Sequence, residues 1–332
     1  MTRMLVAGAM AALLVVVLAP VFIRWLQRRS YGQQIREDGP QGHITTKAGT
    51  PTMGGLLILF AMTLPFWAVG LQSAAGLVLW LTTMGCALIG LWDDWMKISS
   101  RRSLGLSGRW KMLLLLVIGL GLALATDRLL GQGTAIQVPL SSIEVDLGWW
   151  YYPFVYVVLA GAANTVNLTD GIDGLAAATS VISLMAFLGI AFILWERSLG
   201  DLGRQGSLDA GIFAAALAGA CVGFLWWNAN PARIFMGDTG SLALGGAIAA
   251  LAVVTGTELL LVLIGGIFVI EGLSVIIQVI SFKATGRRVF LMAPIHHHFE
   301  LRGWSETQVM VRLLIVASLL ASLGFTLWFR TV

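Results

Sequence analysis

Chemistry-bearing side chains concentrate in four short polar stretches set between long apolar runs. The first holds Asp93, Asp94 and Lys97, and the second is Asn164-Thr-Val-Asn167-Leu-Thr-Asp170-Gly-Ile-Asp173-Gly174. The third runs from Asn228 to Ser241 and contains Phe235 and Asp238, and the fourth is Ala293-Pro-Ile-His296-His297-His298-Phe-Glu300. A loop around Lys47 adds a cation. Carboxylates suit a hard divalent cation, and charged donors suit phosphate oxygens. Brought to one membrane face, these groups predict a metal-dependent site for a phosphorylated substrate.

Each stretch also has a plainer reading. Adjacent helical residues point about 100° apart, so Asp93 and Asp94 are expected to divide two roles, one a base and one a ligand to metal or water. As a pair at a span end they would equally serve as solvated interfacial charges. Asn164, Asn167, Asp170 and Asp173 recur every three residues, which sets them along one edge of a helix or of a tight 3₁₀-like turn. Capping the helix that follows needs one such residue, not four. Gly171 and Gly174 allow a ligand or a neighbouring helix to come close. Asp238 opens a helix in Gly237-Asp-Thr-Gly-Ser241, either as a plain N-cap or beside a Mg²⁺–phosphate unit held by backbone N–H groups. Phe235 suits packing or stacking on a nucleobase.

Three consecutive histidines make a poor metal site, because neighbouring side chains diverge and no zinc-type spacing accompanies them. With Lys283, Arg287, Arg288 and Arg302 nearby, they suit a pyrophosphate or form a basic loop facing anionic lipid. Glu271 and Gln278 lie inside an apolar run. Glu271 suits a transport pathway or a helix–helix hydrogen bond, and Gln278 lies close enough to the span end to reach the site.

The elements that must position these groups follow from composition. Of 332 residues, 58% are hydrophobic and 11% charged, and mean hydropathy is +0.85. Soluble domains carry roughly a quarter charged residues. The chain is therefore expected to be an all-α polytopic membrane protein, one bundle of about ten transmembrane helices over residues 1–332, because runs of ~17–25 apolar residues fit helices and not barrel strands. The expected spans are Met4–Ile23, Gly54–Leu71, Ala75–Trp92, Met112–Ala125, Gly148–Ala163, Leu175–Leu194, Ala210–Trp227, Ser241–Thr255, Leu259–Ile280 and Val309–Phe329. The first is too long for a signal-peptide core and lacks a cleavage site, so it is expected to be retained. Cys86 and Cys221 fall inside spans and read as packing residues. Residues 126–147 form the longest external loop, with room for a short hairpin that Pro139 limits.

Charge sets the orientation. Sixteen of the 21 Lys and Arg residues lie in the loops at 24–47, 97–111, 233 and 283–302 or at Arg312, and 5 lie on the opposite side. Such residues concentrate in cytoplasmic loops, so the four polar stretches are expected at the cytoplasmic face and both termini in the periplasm. The net charge of +4 follows this topology and implies no nucleic acid partner.

Together the stretches resemble the phospho-N-acetylmuramoyl-pentapeptide transferases, a branch of the polyprenyl-phosphate N-acetylhexosamine-1-phosphate transferases, over nearly the whole chain. The resemblance rests on Arg36-Glu-Asp-Gly-Pro-Gln-Gly-His43, Lys47-Ala-Gly-Thr-Pro-Thr-Met-Gly-Gly55, Asp93-Asp94-x-x-Lys97, Asn167-Leu-Thr-Asp-Gly-Ile-Asp-Gly-Leu175 and Phe235-Met-Gly-Asp-Thr-Gly-Ser241. The aspartate motifs are shared by the wider family. The Gly49–Gly55 and Ala293–Glu300 stretches are specific to the muramoyl branch.

The resemblance implies that undecaprenyl phosphate attacks the sugar-linked phosphate of UDP-MurNAc-pentapeptide, releasing UMP and forming lipid I at the bacterial cytoplasmic (inner) membrane. It implies Mg²⁺ on Asp238, Asp93 as base or nucleophile, and Asp94 as base partner or organiser of the metal site. Lys47, Lys97 and Lys111 are implied to hold phosphates, with Thr52 beside Lys47 in the substrate site. Asn164, Asn167 and Asp170 would line the nucleotide-diphosphate site, and Asp173 and Asn228 would contact uridine with Phe235 on the base. His296, His297 and His298 would meet the diphosphate or the muramoyl-peptide, with Gln278 in reach. The lipid bilayer is itself a partner, and a homodimer is a family expectation. The competing readings are a sibling enzyme using UDP-GlcNAc and a secondary transporter, whose ionisable groups would sit near the midplane of inverted repeats.

Overall fold

The computed structural model describes residues 1–28, 49–100, 105–141, 143–198 and 200–331; Lys47 and the Arg36–His43 stretch lie outside the described residues. The elements are α1 (Thr2–Arg28), α2 (Gly55–Val69), α3 (Ala74–Ser100), α4 (Gly108–Leu124), β1 (Ala135–Gln137), β2 (Glu144–Asp146), α5 (Tyr151–Thr169), α6 (Leu175–Arg197), α7 (Asp201–Asn228), α8 (Gly237–Val254), α9 (Leu261–Ile264), α10 (Gly266–Thr285), α11 (Ile295–Leu301) and α12 (Glu306–Thr331).

Every expected span coincides with helix, and eight helices among the described residues are long and apolar enough to cross a membrane. The Gly54–Leu71 span is the 15-residue helix α2, and α5 falls outside the eight. At 1.5 Å per residue α2 reaches ~22 Å, short of the ~30 Å hydrocarbon layer. The Leu259–Ile280 span is not one helix. It breaks at Gly265 into α9 and α10, and the adjacent glycines Gly265-Gly266 are the sequence mark of that break. The hairpin does form: β1 and β2 pair antiparallel with Ile136 opposite Val145, and β1 ends before Pro139.

Large apolar side chains such as Leu13, Val17, Leu319 and Leu323 point outward from α1 and α12, as they must where lipid tails replace water. Inside, α8 is buried along almost its whole length. It packs on α3 and α5, and the approach depends on small residues. A Cβ on Gly245 would meet Ala162 and Ala163 of α5, and one on Gly246 would meet Cys86 of α3. Small residues at such seams let helices touch through their backbones, which is the main packing device in lipid. The seam between α1 and α7 repeats it, with Gly219 against the backbone of Gly8 and Gly223 against that of Ala12.

Candidate active site

Asp93 and Asp94 stand nearly two turns before the end of α3, which continues past the expected Trp92 boundary to Ser100. Consecutive helical positions diverge, and the two carboxylates do face different partners. Asp94 turns to the start of α8. Its Oδ1 accepts from the Asp238 N–H at 3.1 Å, and its Oδ2 accepts from the Thr239 N–H at 2.9 Å and the Thr239 hydroxyl at 2.6 Å. The first N–H groups of a helix lack intrahelical acceptors and carry the positive end of its dipole. Asp94 thus caps α8 from another helix. The plain N-cap reading of Asp238 is corrected: Met236 occupies the cap position, and Asp238 lies inside the first turn.

Asp93 faces the lysines. Lys97 Nζ lies 2.6 Å from its Oδ2, Lys111 Nζ lies 3.4 Å from its Oδ1, and the Leu106 N–H donates to Oδ1 at 2.7 Å. The same ammonium groups hold Asp238: Lys97 at 3.1 Å from Oδ1 and Lys111 at 2.9 Å from Oδ2. The Asn167 amide also donates to Asp238 Oδ1 at 3.0 Å and to the Ser241 hydroxyl at 2.8 Å. Asp93 and Asp94 are almost wholly buried, whereas the Asp238 side chain is 15% exposed. Asp238 is the carboxylate that opens outward.

These residues fit a divalent cation. One carboxylate oxygen from each of Asp93, Asp94 and Asp238 lies within 4.8 Å of the others. Three carboxylates face two ammonium groups, a net deficit of positive charge, and hard oxygen ligands of this kind suit Mg²⁺. Asp238 is the most exposed of the three, and its oxygens are held by Lys97, Lys111 and Asn167.

The N-terminal motif and the third stretch are joined through backbone. The Gly54 and Gly55 N–H groups donate to the Phe235 and Met236 carbonyls, both at 2.8 Å, and the Phe235 N–H donates to Pro51 at 2.8 Å. This splint leaves Phe235 half-buried beside the cluster's helix. It also brings Thr52 against Gly237, whose φ of +74° and close neighbours Asp94 and Thr52 leave no room for a side chain.

The second stretch divides. Asn164 and Asn167 are on α5, Asp170 closes that helix, and 171–174 form a turn into α6. Asn164 donates to its own Ala160 carbonyl at 2.7 Å. Asp173 is buried and accepts from the Ala232 N–H at 3.0 Å and the Asn230 amide at 3.3 Å. Asn228 is buried too, bracing two loops by accepting from Gly174 N–H at 3.1 Å and donating to the Ile234 carbonyl at 2.8 Å. Asp173, Asn228 and Asn230 thereby tie the second stretch to the third.

The histidines are not on a loop. They lie on the short helix α11, which seats the fourth stretch against the second: a Cβ on Gly171 would run into the His296 imidazole. His296 is fully buried with its Nδ1 3.1 Å from Glu271 Oε2, and Glu271 is fully buried as well. The deep acid of α10 therefore lies against the histidine helix, although among the described residues none of the four polar side-chain atoms of the pair makes a hydrogen bond. His297 Nδ1 lies 2.6 Å from Glu300 Oε2, and His298 Nδ1 accepts from the Leu291 N–H at 3.1 Å. The Gln278 amide accepts from the Val289 and Phe290 N–H groups and donates to the Phe290 carbonyl, which shapes the segment leading to α11. The hydroxyls of Thr239 and Ser241, the Asn230 amide and Glu300 received no role from sequence reasoning, although each lies within a motif already singled out.

Glycosyl transferase family 4 matches residues 76–256, which span α3 to the end of α8, and signature 1 of the phospho-N-acetylmuramoyl-pentapeptide-transferases matches residues 47–59. The chain is 48% identical to the phospho-N-acetylmuramoyl-pentapeptide-transferase of Halalkalibacterium halodurans, over 94% of this chain and 93% of that one. It is 44% identical to that of Desulfitobacterium hafniense (97% and 96%) and 48% identical to that of Geobacillus kaustophilus (96% of each). The chain belongs to the phospho-N-acetylmuramoyl-pentapeptide-transferase family. As a member of this transferase family it is a phosphosugar transferase, and its charged cluster falls entirely within the segment shared with glycosyl transferase family 4.

Proposed function

We propose that the chain transfers phospho-MurNAc-pentapeptide from UDP-MurNAc-pentapeptide to undecaprenyl phosphate, giving lipid I and UMP. The carrying observation is the Asp93–Asp94–Asp238 cluster with Lys97 and Lys111, set at helix ends in a membrane bundle of this family. An oxygen of the lipid phosphate attacks the sugar-linked phosphorus, and the bond from that phosphorus to the UMP oxygen breaks. Mg²⁺ bound at Asp238 would neutralise the charge gathering on the diphosphate and the departing UMP. Lys97 and Lys111 lie within reach of two carboxylates each and position phosphate oxygens against them. Lys47 joins them as a phosphate ligand, on the strength of the motif that it opens.

Both oxygens of Asp93 already face cations or an N–H group, which withdraws electron density from a nucleophile. That favours direct attack by the lipid phosphate, and since the same cations weaken Asp93 as a base, it takes up only the proton that the phosphate still carries. The demand is small, since a phosphate monoester has its second pKa near ~6. Asp94 holds the first turn of α8, and with it Asp238, in place. Phe235 takes the uracil face, Asn164, Asn167 and Asp170 the nucleotide diphosphate, and Asp173 with Asn228 fixes the loops on the uridine side. His297 and His298 contact the donor beyond UMP, with His296 anchoring their helix on Glu271.

A soluble donor and a bilayer-held acceptor meet at a membrane boundary, and the Lys and Arg distribution makes that the cytoplasmic face of the inner membrane. Cysteines placed at Gly133 and Arg302 test this: an impermeant thiol reagent applied to intact cells should label the first and spare the second. Label at Arg302 would reverse the orientation. For donor choice, purified protein in undecaprenyl phosphate micelles should release UMP from UDP-MurNAc-pentapeptide and leave UDP-GlcNAc nearly untouched. Equal turnover of UDP-GlcNAc would transfer the assignment to the sibling chemistry.

A further inference from the structure

A second polar cavity lies at the same end of the bundle, lined in part by Thr50 and Pro51, which precede the Thr52 that meets Gly237 of the site. It encloses about 580 Å³ between the ends of α1 and α7, within the ~300–1,000 Å³ usual for ligand sites. Its lining includes Arg24 and Gln27 of α1 and Arg233 just after α7, and among the described residues no carboxylate. Among the described residues neither arginine makes an ion pair, and Arg233 rests only over the Trp227 ring at 5.7 Å. Two guanidinium groups thus share one cavity with no carboxylate against them among the described residues.

The cavity is graded along α1. Pro20 lies one turn deeper than Arg24 and Ile23 one turn deeper than Gln27, and Trp227 completes the apolar part of the lining. Cation above and hydrocarbon below is the order of groups in a membrane lipid, from phosphate to the first methylenes. A soluble anion would make no use of the apolar part. The level is right as well: Trp25 and Trp226, sequence neighbours of lining residues, are 44% and 73% exposed, as tryptophans are where a protein crosses the headgroup layer. Basic pockets between transmembrane helices on the cytoplasmic side hold phosphate headgroups by this means.

We infer that the Arg24–Arg233 cavity binds the phosphate headgroup of a membrane lipid, separately from the catalytic cluster. Arginine is suited to this because its planar fork meets two phosphate oxygens at once.

The test is native mass spectrometry of the full-length protein released from nanodiscs, with dioleoylphosphatidylglycerol, dioleoylphosphatidylcholine, undecaprenyl phosphate and inorganic phosphate as separate probes. Phosphatidylglycerol should be retained in a salt-sensitive manner, and the Arg24→Gln/Arg233→Gln double variant should retain it at least about tenfold more weakly. Phosphatidylcholine binding should not change. The Arg24→Lys/Arg233→Lys variant keeps the charge and should hold most of the lipid, which separates loss of the site from loss of the fold. If the double glutamine variant loses undecaprenyl phosphate and keeps phosphatidylglycerol, the cavity still takes a lipid phosphate and its source is the acceptor. Equal retention of every lipid by wild type and the glutamine variant would overturn the inference, as would binding of inorganic phosphate alone.

Discussion

Asp209 and Asp94 sit at the two ends of α3 and make the same kind of contact. Asp209, buried on α7, accepts from the Gln72 and Ser73 N–H groups at 2.8 and 2.7 Å and from the Ser73 hydroxyl at 2.7 Å. It so fixes from a neighbouring helix the Ser73 that caps α3 by accepting from the Gly76 N–H at 3.2 Å. Some 21 residues further on, or ~30 Å at 1.5 Å per residue, Asp94 of α3 caps α8 in turn. Both satisfy orphan N–H groups that lipid could not satisfy. Their surroundings differ. Around Asp209 there is no ion pair among the described residues, whereas Asp94 adjoins Asp93, Asp238, Lys97 and Lys111. A buried cap is thus structural by default. It becomes part of a reaction centre where the helix end it fixes carries an outward carboxylate and mobile cations.

The largest effect should come from the charged groups that only the Asp94 end possesses. Asp93→Asn should lower the rate of UMP release by about 10²–10⁴-fold, the usual loss of an acid–base group, with helical circular dichroism intact. Asp238→Asn should lose comparable activity, with a raised Mg²⁺ requirement. Near-normal turnover of Asp93→Asn would remove it from the chemistry and leave the two ends of α3 alike.

The two caps themselves should separate activity from stability. A hydrogen bond to a charged group is worth ~1.5–3 kcal/mol, so both Asp209→Asn and Asp94→Asn should lower the thermal unfolding midpoint in detergent. Only Asp94→Asn should also slow UMP release per folded molecule. A slowed Asp209→Asn enzyme would show that the far end of α3 reaches the site after all.

The smallest effect concerns Glu258, which lies between α8 and α9 at the Asp209 end. Burial raises its carboxyl to about 7, above the ~4.3 of an exposed glutamate. The folded protein holds a proton there that the unfolded chain has released, so this part of the stability is full below about pH 4 and is lost as pH rises through 7. The unfolding midpoint should therefore fall between about pH 5 and about pH 8, and Glu258→Gln should flatten that fall. An unchanged slope would mean that Glu258 is solvated in the native protein.

The helices were readable in the sequence because lipid imposes long apolar runs, and the hairpin because Pro139 bounds it. The site was readable as a set of residue types. What each residue does was not, because the deciding contacts join distant positions: Asp94 with Thr239, Asp209 with Ser73, Glu271 with His296. Nothing local to Asp94 distinguishes a cap from a metal ligand. Asn228 shows the same limit, since its amide meets backbone groups from two loops and no sequence spacing announces them. The break at Gly265 was different, for the paired glycines were in view and the apolar run outweighed them.

The floor of the reaction centre is main chain. A Cβ on Gly90 would strike the Asp238 carbonyl, and one on Gly55 would strike Gly240. A side chain at either glycine would push away the start of α8, which carries Asp238, so a selection for resistance to an inhibitor of this site should recover no change at Gly55 or Gly90.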